Sequence, residues 1–261
     1  MERERVNPDG PVEATFWGSQ IVGLGTVETL PAQNLNATIF HSFGILTNNT
    51  LQNFFGLDIA PNVRLGLDYG ITDYWTIGIG RTTLDKVVDI RTKLSLIRQT
   101  KTNSTPLSIG IKGDVGLSTE ENQRPIADDL NFFISLPIAK KFSNKVSLQI
   151  APMYSHFNSV NTVIGLKKNH FAVALAGEWH ISDRYALNAE YYPVFGSRSN
   201  GTTNALALGL NIDTGGHVFQ IFLASSNGTT EQYIISQNTN NFFDGDFRIG
   251  FNINRVFRLG K

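Results

Sequence analysis

Hydrophobic and polar residues alternate one by one along most of this chain. Over residues 245–257, Phe247, Ile249, Phe251 and Ile253 are interleaved with Arg248, Gly250, Asn252 and Asn254. Successive side chains of a β-strand point to opposite faces, so such a stretch has one greasy wall and one polar wall. Residues 62–70 repeat the pattern, with Val63, Leu65, Leu67 and Tyr69 set against Arg64, Gly66 and Asp68. In 74–81 Trp75, Ile77 and Ile79 share one face. In 86–98 Val88, Ile90, Leu94 and Leu96 oppose Asp89, Arg91, Lys93 and Ser95. In 107–117 Ile109, Ile111 and Val115 oppose Lys112 and Asp114.

Residues 35–43 form a further strand of this kind. Three hairpins follow: 130–139 with 146–157, 171–181 with 185–195, and 206–212 with 218–223. With 245–257 the tally is about twelve strands. Ser182-Asp183 and Thr214-Gly215-Gly216 supply the turn chemistry that hairpins need. The connections sort by length. Those after even-numbered strands are short, apart from 99–105. Those after odd strands are longer, at 44–61, 118–128, 158–169, 196–203 and 225–244, with a short exception at 82–85.

This rhythm predicts an all-β fold, a transmembrane antiparallel up-and-down barrel with short periplasmic turns and longer outer loops. A strand of about ten residues, rising roughly 3.3 Å per residue and tilted about 40°, spans on the order of 25 Å, the height of the apolar band. The outward faces carry no charge in their middle turns, where a Lys or Arg would cost roughly 2–4 kcal/mol. A soluble ligand-binding barrel would invert this arrangement, with apolar residues inside and charge outside. The location that follows is the bacterial outer membrane, with its lipid as the surrounding partner.

The bulk numbers remove other classes. Lys plus Arg and Asp plus Glu balance at 22 each, so nothing electrostatic points to nucleic acid. Cysteine is absent, which excludes a disulfide scaffold and thiolate metal sites. No apolar run reaches the 18 or so residues of a membrane-spanning helix, and a membrane protein without such helices must close its sheet. The first residues, MERERVNPDG, hold no apolar signal core, and the reading favoured is that a signal peptide has been removed. Two regions are expected: 1–30 as an N-terminal tail and periplasmic plug, and 31–261 as the barrel. Within the first, 1–13 reads as an exposed charged tail. Residues 14–30 are too apolar for one, and read either as a plug across the inner end or as a simple leader.

Four stretches resemble one family: VETLPAQNLNATIFHSFG at 27–44, YGITDYWTIGIGR at 69–81, TGGHVFQ at 214–220 and the closing GDFRIGFNINRVF. The family is DUF5777, barrel proteins of unknown function found chiefly in Bacteroidetes. The resemblance runs from about residue 15 onward and departs from the family pattern at Ala37 and Thr38. It implies an outer-membrane barrel and brings no activity or catalytic residues with it.

Candidate chemistry is sparse, and no enzyme activity is expected. The five histidines, His41, His156, His170, His180 and His217, form no ligand motif, so neither a metal nor a cofactor is expected. The nearest approach to a hydrolase site is His156, on the lipid-facing parity near the outer rim, whose expected cross-strand neighbours are Asp128 and Leu130. Ser155 points the other way, and a nucleophile must lie within hydrogen-bond reach of its base. Glycines in YGITDYWTIGIG and TGGH precede no helix and are turns or tight strand contacts, not a phosphate loop. Aromatics Trp75, Tyr154, Trp179, Tyr185 and Tyr191 lie near strand ends, as in a membrane-interface girdle.

The residues expected to line the lumen are Arg64, Asp68, Asp89, Arg91, Lys93, Lys112, Asp114, Glu178, Glu190 and Arg248. Arg91, Lys93 and Lys112 make a basic wall roughly a third of the ring away from an acidic one of Glu178 and Glu190. The two walls are expected to interact across the barrel, with local pairing through Asp89 and Asp114 as the alternative. The function that follows is a narrow channel or transport-associated pore for small polar solutes. A closed structural barrel, docking a protein through its loops or periplasmic face, is the alternative. An outer-membrane lipid hydrolase is a second. Eight strands leave an interior filled by side chains and sixteen leave a channel, so twelve do not decide between them.

Overall fold

In a computed structural model that describes residues 9–46, 51–215 and 217–259, the alternating segments close into one antiparallel barrel. Residues 1–8 of the expected tail, and Gly216 of the expected turn, lie outside the described residues. The strands are β1 (Asn34–Ile45), β2 (Asn62–Thr72), β3 (Trp75–Thr82), β4 (Val87–Ile97), β5 (Ser108–Ser118) and β6 (Leu130–Ser135 with Ile138–Lys141). They continue as β7 (Val146–Phe157), β8 (Asn169–His180), β9 (Tyr185–Tyr192 with Val194–Phe195), β10 (Ala205–Asp213), β11 (Val218–Ala224) and β12 (Arg248–Arg258).

Two strands are interrupted by proline, which cannot donate to the ladder. The break in β6 falls at Leu136-Pro137, where the Pro137 carbonyl still accepts from the Gly110 N–H at 2.9 Å. The break in β9 falls at Pro193, whose carbonyl accepts from the Val173 N–H at 3.1 Å. With each of these counted as one strand, the barrel has twelve. Each strand pairs with its neighbour in sequence, and β1 pairs with both β2 and β12. Ile39 lies opposite Leu65 on one side and Ile253 on the other. That last pairing closes the ring and leaves no open edge.

The pleat sends the predicted greasy face outward. Leu65, Leu67, Ile77, Ile79, Ile90, Val115, Ile134 and Leu148 are all exposed on the outer surface. In water such a belt would be a large uncompensated patch; against lipid tails it is the matching surface. Among the described residues no helix is long and apolar enough to cross a membrane.

The interior differs from the sequence expectation in one respect. Residues 225–244, read as an outer loop, fold back into the barrel and carry a short helix, α1 (Glu231–Gln237), buried from Glu231 to Ser236. Strand β12 accordingly begins at Arg248, after a turn at Phe242–Asp244 in which Gly245 takes φ +86°. Seven helical residues are too few to show a periodicity, and a helix that short is held by packing alone. The apolar interior joins strand residues Phe40, Phe133 and Phe222 to Phe16, Ile21, Val22 and Leu24 from the N-terminal segment, and to Ile234 and Ile235 from α1. Alanines 172, 174, 176, 205 and 207 on β8 and β10 face inward and make room for both insertions.

Candidate functional site

Of the residues expected to line the lumen, Asp68 and Arg91 are half-buried and the others buried, and the partners of all but Arg248 divide them into two groups. The first is a self-contained cluster on β2 and β4. Asp89 accepts both ends of the Arg64 guanidinium, with the second contact at 2.8 Å, and also Arg91 Nη1 at 3.1 Å. Arg91 Nε donates to Asp68 at 2.7 Å. Inward-facing Gly78 and Gly80 on β3 are required here. A Cβ at Gly78 would overlap the Asp68 carboxylate, and one at Gly80 would overlap the Arg64 guanidinium. The cluster neutralises itself inside the protein, as buried charges must.

The second group ends on the inserted chain instead of on other wall residues. Residues 19–26 form a tight loop in which Ile21 N–H donates to the Leu24 carbonyl at 2.8 Å and Thr26 N–H to the Ser19 carbonyl at 3.0 Å. At its tip three consecutive N–H groups, from Val22, Gly23 and Leu24, converge on the Glu190 carboxylate at 2.9–3.1 Å. Tyr192 donates its hydroxyl to the same carboxylate at 3.0 Å. Such a run of backbone N–H groups is an anion nest, and Glu190 is its anion. Glu178 accepts the Trp17 N–H at 3.0 Å and lies 2.8 Å from His180 Nε2. Lys93 donates to the carbonyls of Ser19 and Glu28 at 2.8 and 3.0 Å.

Neutral wall groups complete the attachment. Gln149 accepts the Val27 N–H at 3.1 Å and donates to the Gly25 carbonyl at 2.9 Å. Gln220 and Asn252 donate to the carbonyls of Ile21 and Val22. A peptide segment inside a barrel has no ladder of its own, and unmet backbone groups are costly there. Here the wall side chains supply those partners one by one.

Lys112 joins the second insertion to the first. Its ammonium lies 2.6 and 2.8 Å from the two carboxylate oxygens of Glu231 on α1, and 3.2 Å from Asp114. The Gly25 N–H donates to the same Glu231 at 2.9 Å. A Cβ at Gly23 would come within 2.7 Å of the Ile234 side chain, so the two insertions touch directly. Arg248 lies apart from these groups, buried at the loop end of β12.

The two walls therefore do not form ion pairs with each other among the described residues. Arg91 is met by Asp68 and Asp89, Lys112 by Asp114 and Glu231, and Lys93 by backbone carbonyls. The physical reason is interposed matter: residues 14–30 and α1 lie in the lumen and offer closer partners than the opposite wall. Glu231, Gln149, Gln220 and Asn252 escaped the sequence reading as site residues. Gln149, Gln220 and Asn252 have inward strand parity, which could have found them. Glu231 sits in a segment without any periodic signal.

Among the described residues no group of three His, Cys, Asp or Glu side chains is placed to hold a metal. The register sets His156 opposite Phe132 and Asn169, which corrects the expected neighbours Asp128 and Leu130. A short turn at Ile126–Asp129 takes Asp128 out of the ladder before β6 begins. His156 Nδ1 lies 2.6 Å from Asn169 Oδ1, and Ser155 is buried on the opposite face.

The fold has relatives among solved structures. The barrel is similar to an outer-membrane channel from Pseudomonas putida F1, with TM-score 0.57 and 12% identity over 89% of this chain and 98% of that one. It is similar to the NanC porin (TM-score 0.53, 10% identity, 85% and 98% coverage) and to the KdgM porin, solved in complex with disordered oligogalacturonate (0.52, 6%, 85% and 98%). At these identities the likeness is one of fold. No curated protein matches the chain in sequence. The family described as a membrane-bound beta barrel domain, DUF5777, matches residues 16–257, so with its closed twelve-stranded barrel and lipid-facing apolar belt the chain belongs to that family.

Proposed function

We propose that the chain is a bacterial outer-membrane channel for small polar solutes, shut in the state described here by residues 14–30 as a plug. The observation that carries this reading is the kind of matter that fills the lumen. A barrel built only as a scaffold can fill its interior with the apolar side chains of its own strands. Here the wall presents carboxylates, ammonium groups and amides, and a separate segment is fastened to them by its backbone. Water can take over each of those hydrogen bonds if the segment withdraws, at a net cost of about 0.5–1.5 kcal/mol per neutral bond and about 1.5–3 where a charge is involved. What would remain is an intact ring whose polar wall is exposed along the space the segment leaves, beside α1. The short turns then face the periplasm and the long loops the exterior, as the general plan of such barrels has it.

The test is conductance in planar lipid bilayers. The protein lacking residues 14–30 should show a stable ohmic conductance well above that of the full chain. A folded deletion variant that conducts no more than the full chain would overturn the channel reading and leave a sealed barrel.

A further inference from the structure

A cavity of about 570 Å³ opens at the turn end, between residues 14–31 and the walls of β1, β10, β11 and β12. That volume lies within the span of small-molecule sites, about 300–1,000 Å³. We infer that it is a binding site for an uncharged, hydroxyl-rich small molecule, a neutral saccharide of one or two rings. The inference goes beyond the channel reading and does not require the barrel to open.

The chemistry of the lining carries it. One wall is a field of side-chain amides, among them Asn34, Asn36, Asn252 and Asn254, and the opposite wall includes Phe16 and Trp17. Among the described residues no Lys or Arg lines the cavity. Its two carboxylates are already engaged by backbone, Glu28 by the Thr15 N–H at 2.8 Å and Asp213 by the Gly215 N–H at 2.8 Å. The arginines and lysines of the lumen wall, with Asp68, Asp89 and Asp114, belong to β2, β4 and β5, on the other side of the plug. Of the arginines on β12, Arg248 stands at the far end, and Arg255 and Arg258 at the turn end are outside the lining. The cavity is thus an amide-rich sector whose acidic groups, among the described residues, are Glu28 and Asp213.

Amides both donate and accept, and so do hydroxyls, whereas an anion would meet no Lys or Arg in the described lining, and the two carboxylates each already accept a backbone N–H. An aromatic face beside them suits the apolar C–H face of a sugar ring. Asn34 and Asn254 are partly exposed in this lining, so their amides are open to hydroxyl partners. The inner end is closed off by the apolar cluster of Ile21, Val22, Phe40 and Phe222. A ligand would therefore enter and leave from the turn end in the closed state.

Isothermal titration calorimetry of the full-length protein in detergent decides the matter. The probes are glucose, galactose, maltose, lactose and cellobiose, with galacturonate and glucosamine as charged comparators. At least one neutral sugar should bind saturably, at least about tenfold more tightly than either comparator. Asn36→Leu should weaken it by about tenfold, the equivalent of one lost hydrogen bond. Trp17→Ala should do the same, and decides alone if Asn36→Leu does not reach the folded, heat-modifiable form on gels. No saturable binding of any neutral sugar would overturn the site. So would equal or tighter binding of a charged one, or an affinity unmoved by the variants. Saturable binding together with a non-conducting plug deletion would keep this site and remove the channel reading.

Discussion

Glu231 and Gly25 are 206 residues apart in the sequence, and the Gly25 N–H donates to the Glu231 carboxylate at 2.9 Å. One residue belongs to a helix that enters from the long-loop end, the other to a segment that enters from the short-turn end. Both rest on Lys112, which places a wall cation at the junction of the two insertions. The two insertions, one from each end, meet at this one group.

Lys112→Met keeps the volume of that side chain and removes its charge. It leaves the carboxylates of Asp114 and Glu231 buried without their cation. The expected loss is about 3–5 kcal/mol, the usual cost of removing one partner from a buried ion pair. Urea unfolding in liposomes, followed by tryptophan fluorescence, measures it. A loss below about 1 kcal/mol would show that the carboxylates find other partners.

Gly23→Ala puts a methyl group where the Ile234 side chain lies, 2.7 Å from its tip, while the loop is tethered to Glu190. Overpacking of this kind typically costs 1–3 kcal/mol. The variant should expose residues 14–30 to protease in the folded protein, and Gly23→Ala with Ile234→Val should restore protection. Equal protection of the single variant and the parent would count against close packing at this point.

The absence of cysteine makes a disulfide test clean. A Cβ at Gly209 on β10 would lie 3.1 Å from a methyl group of Val22, close enough to place two β-carbons within bridging range. Val22→Cys with Gly209→Cys should cross-link on oxidation and hold the plug to the wall. Bilayer recordings should then show openings only after reduction. Equal conductance in both redox states, with the bridge verified by mass spectrometry, would mean that solutes do not pass where the plug sits.

The belt is tested at Leu67, which faces outward opposite Ile79 on the neighbouring strand. Leu67→Arg should cost roughly 2–4 kcal/mol in a bilayer if it sits near the midplane. Leu67→Phe should be nearly neutral. Unfolding titrations in liposomes compare them, and an arginine variant as stable as the parent would displace this position from the lipid-facing band.

What the sequence determined by itself is the wall. Lipid excludes charge from one face and a pleated strand alternates its faces, so Leu67 and Ile79 could only point out, and Arg64 and Asp89 could only point in. Twelve such segments with hairpin turns leave little choice but a closed ring, and the strand from residue 248 onward could be named as its last member. The contents of the ring were decided by the tertiary structure. Arg91, Lys93 and Lys112 could have met Glu178 and Glu190 across the lumen, and parity alone permits it. They do not, because Glu178 and Glu190 bind the backbone of residues 17–24, and Lys112 binds a helix of only seven residues that carries no periodic signal. The reason is physical. A lipid-facing position tolerates only apolar residues, whereas an inward charge is satisfied by any partner within reach, and which partner comes within reach depends on where distant segments of the chain are packed.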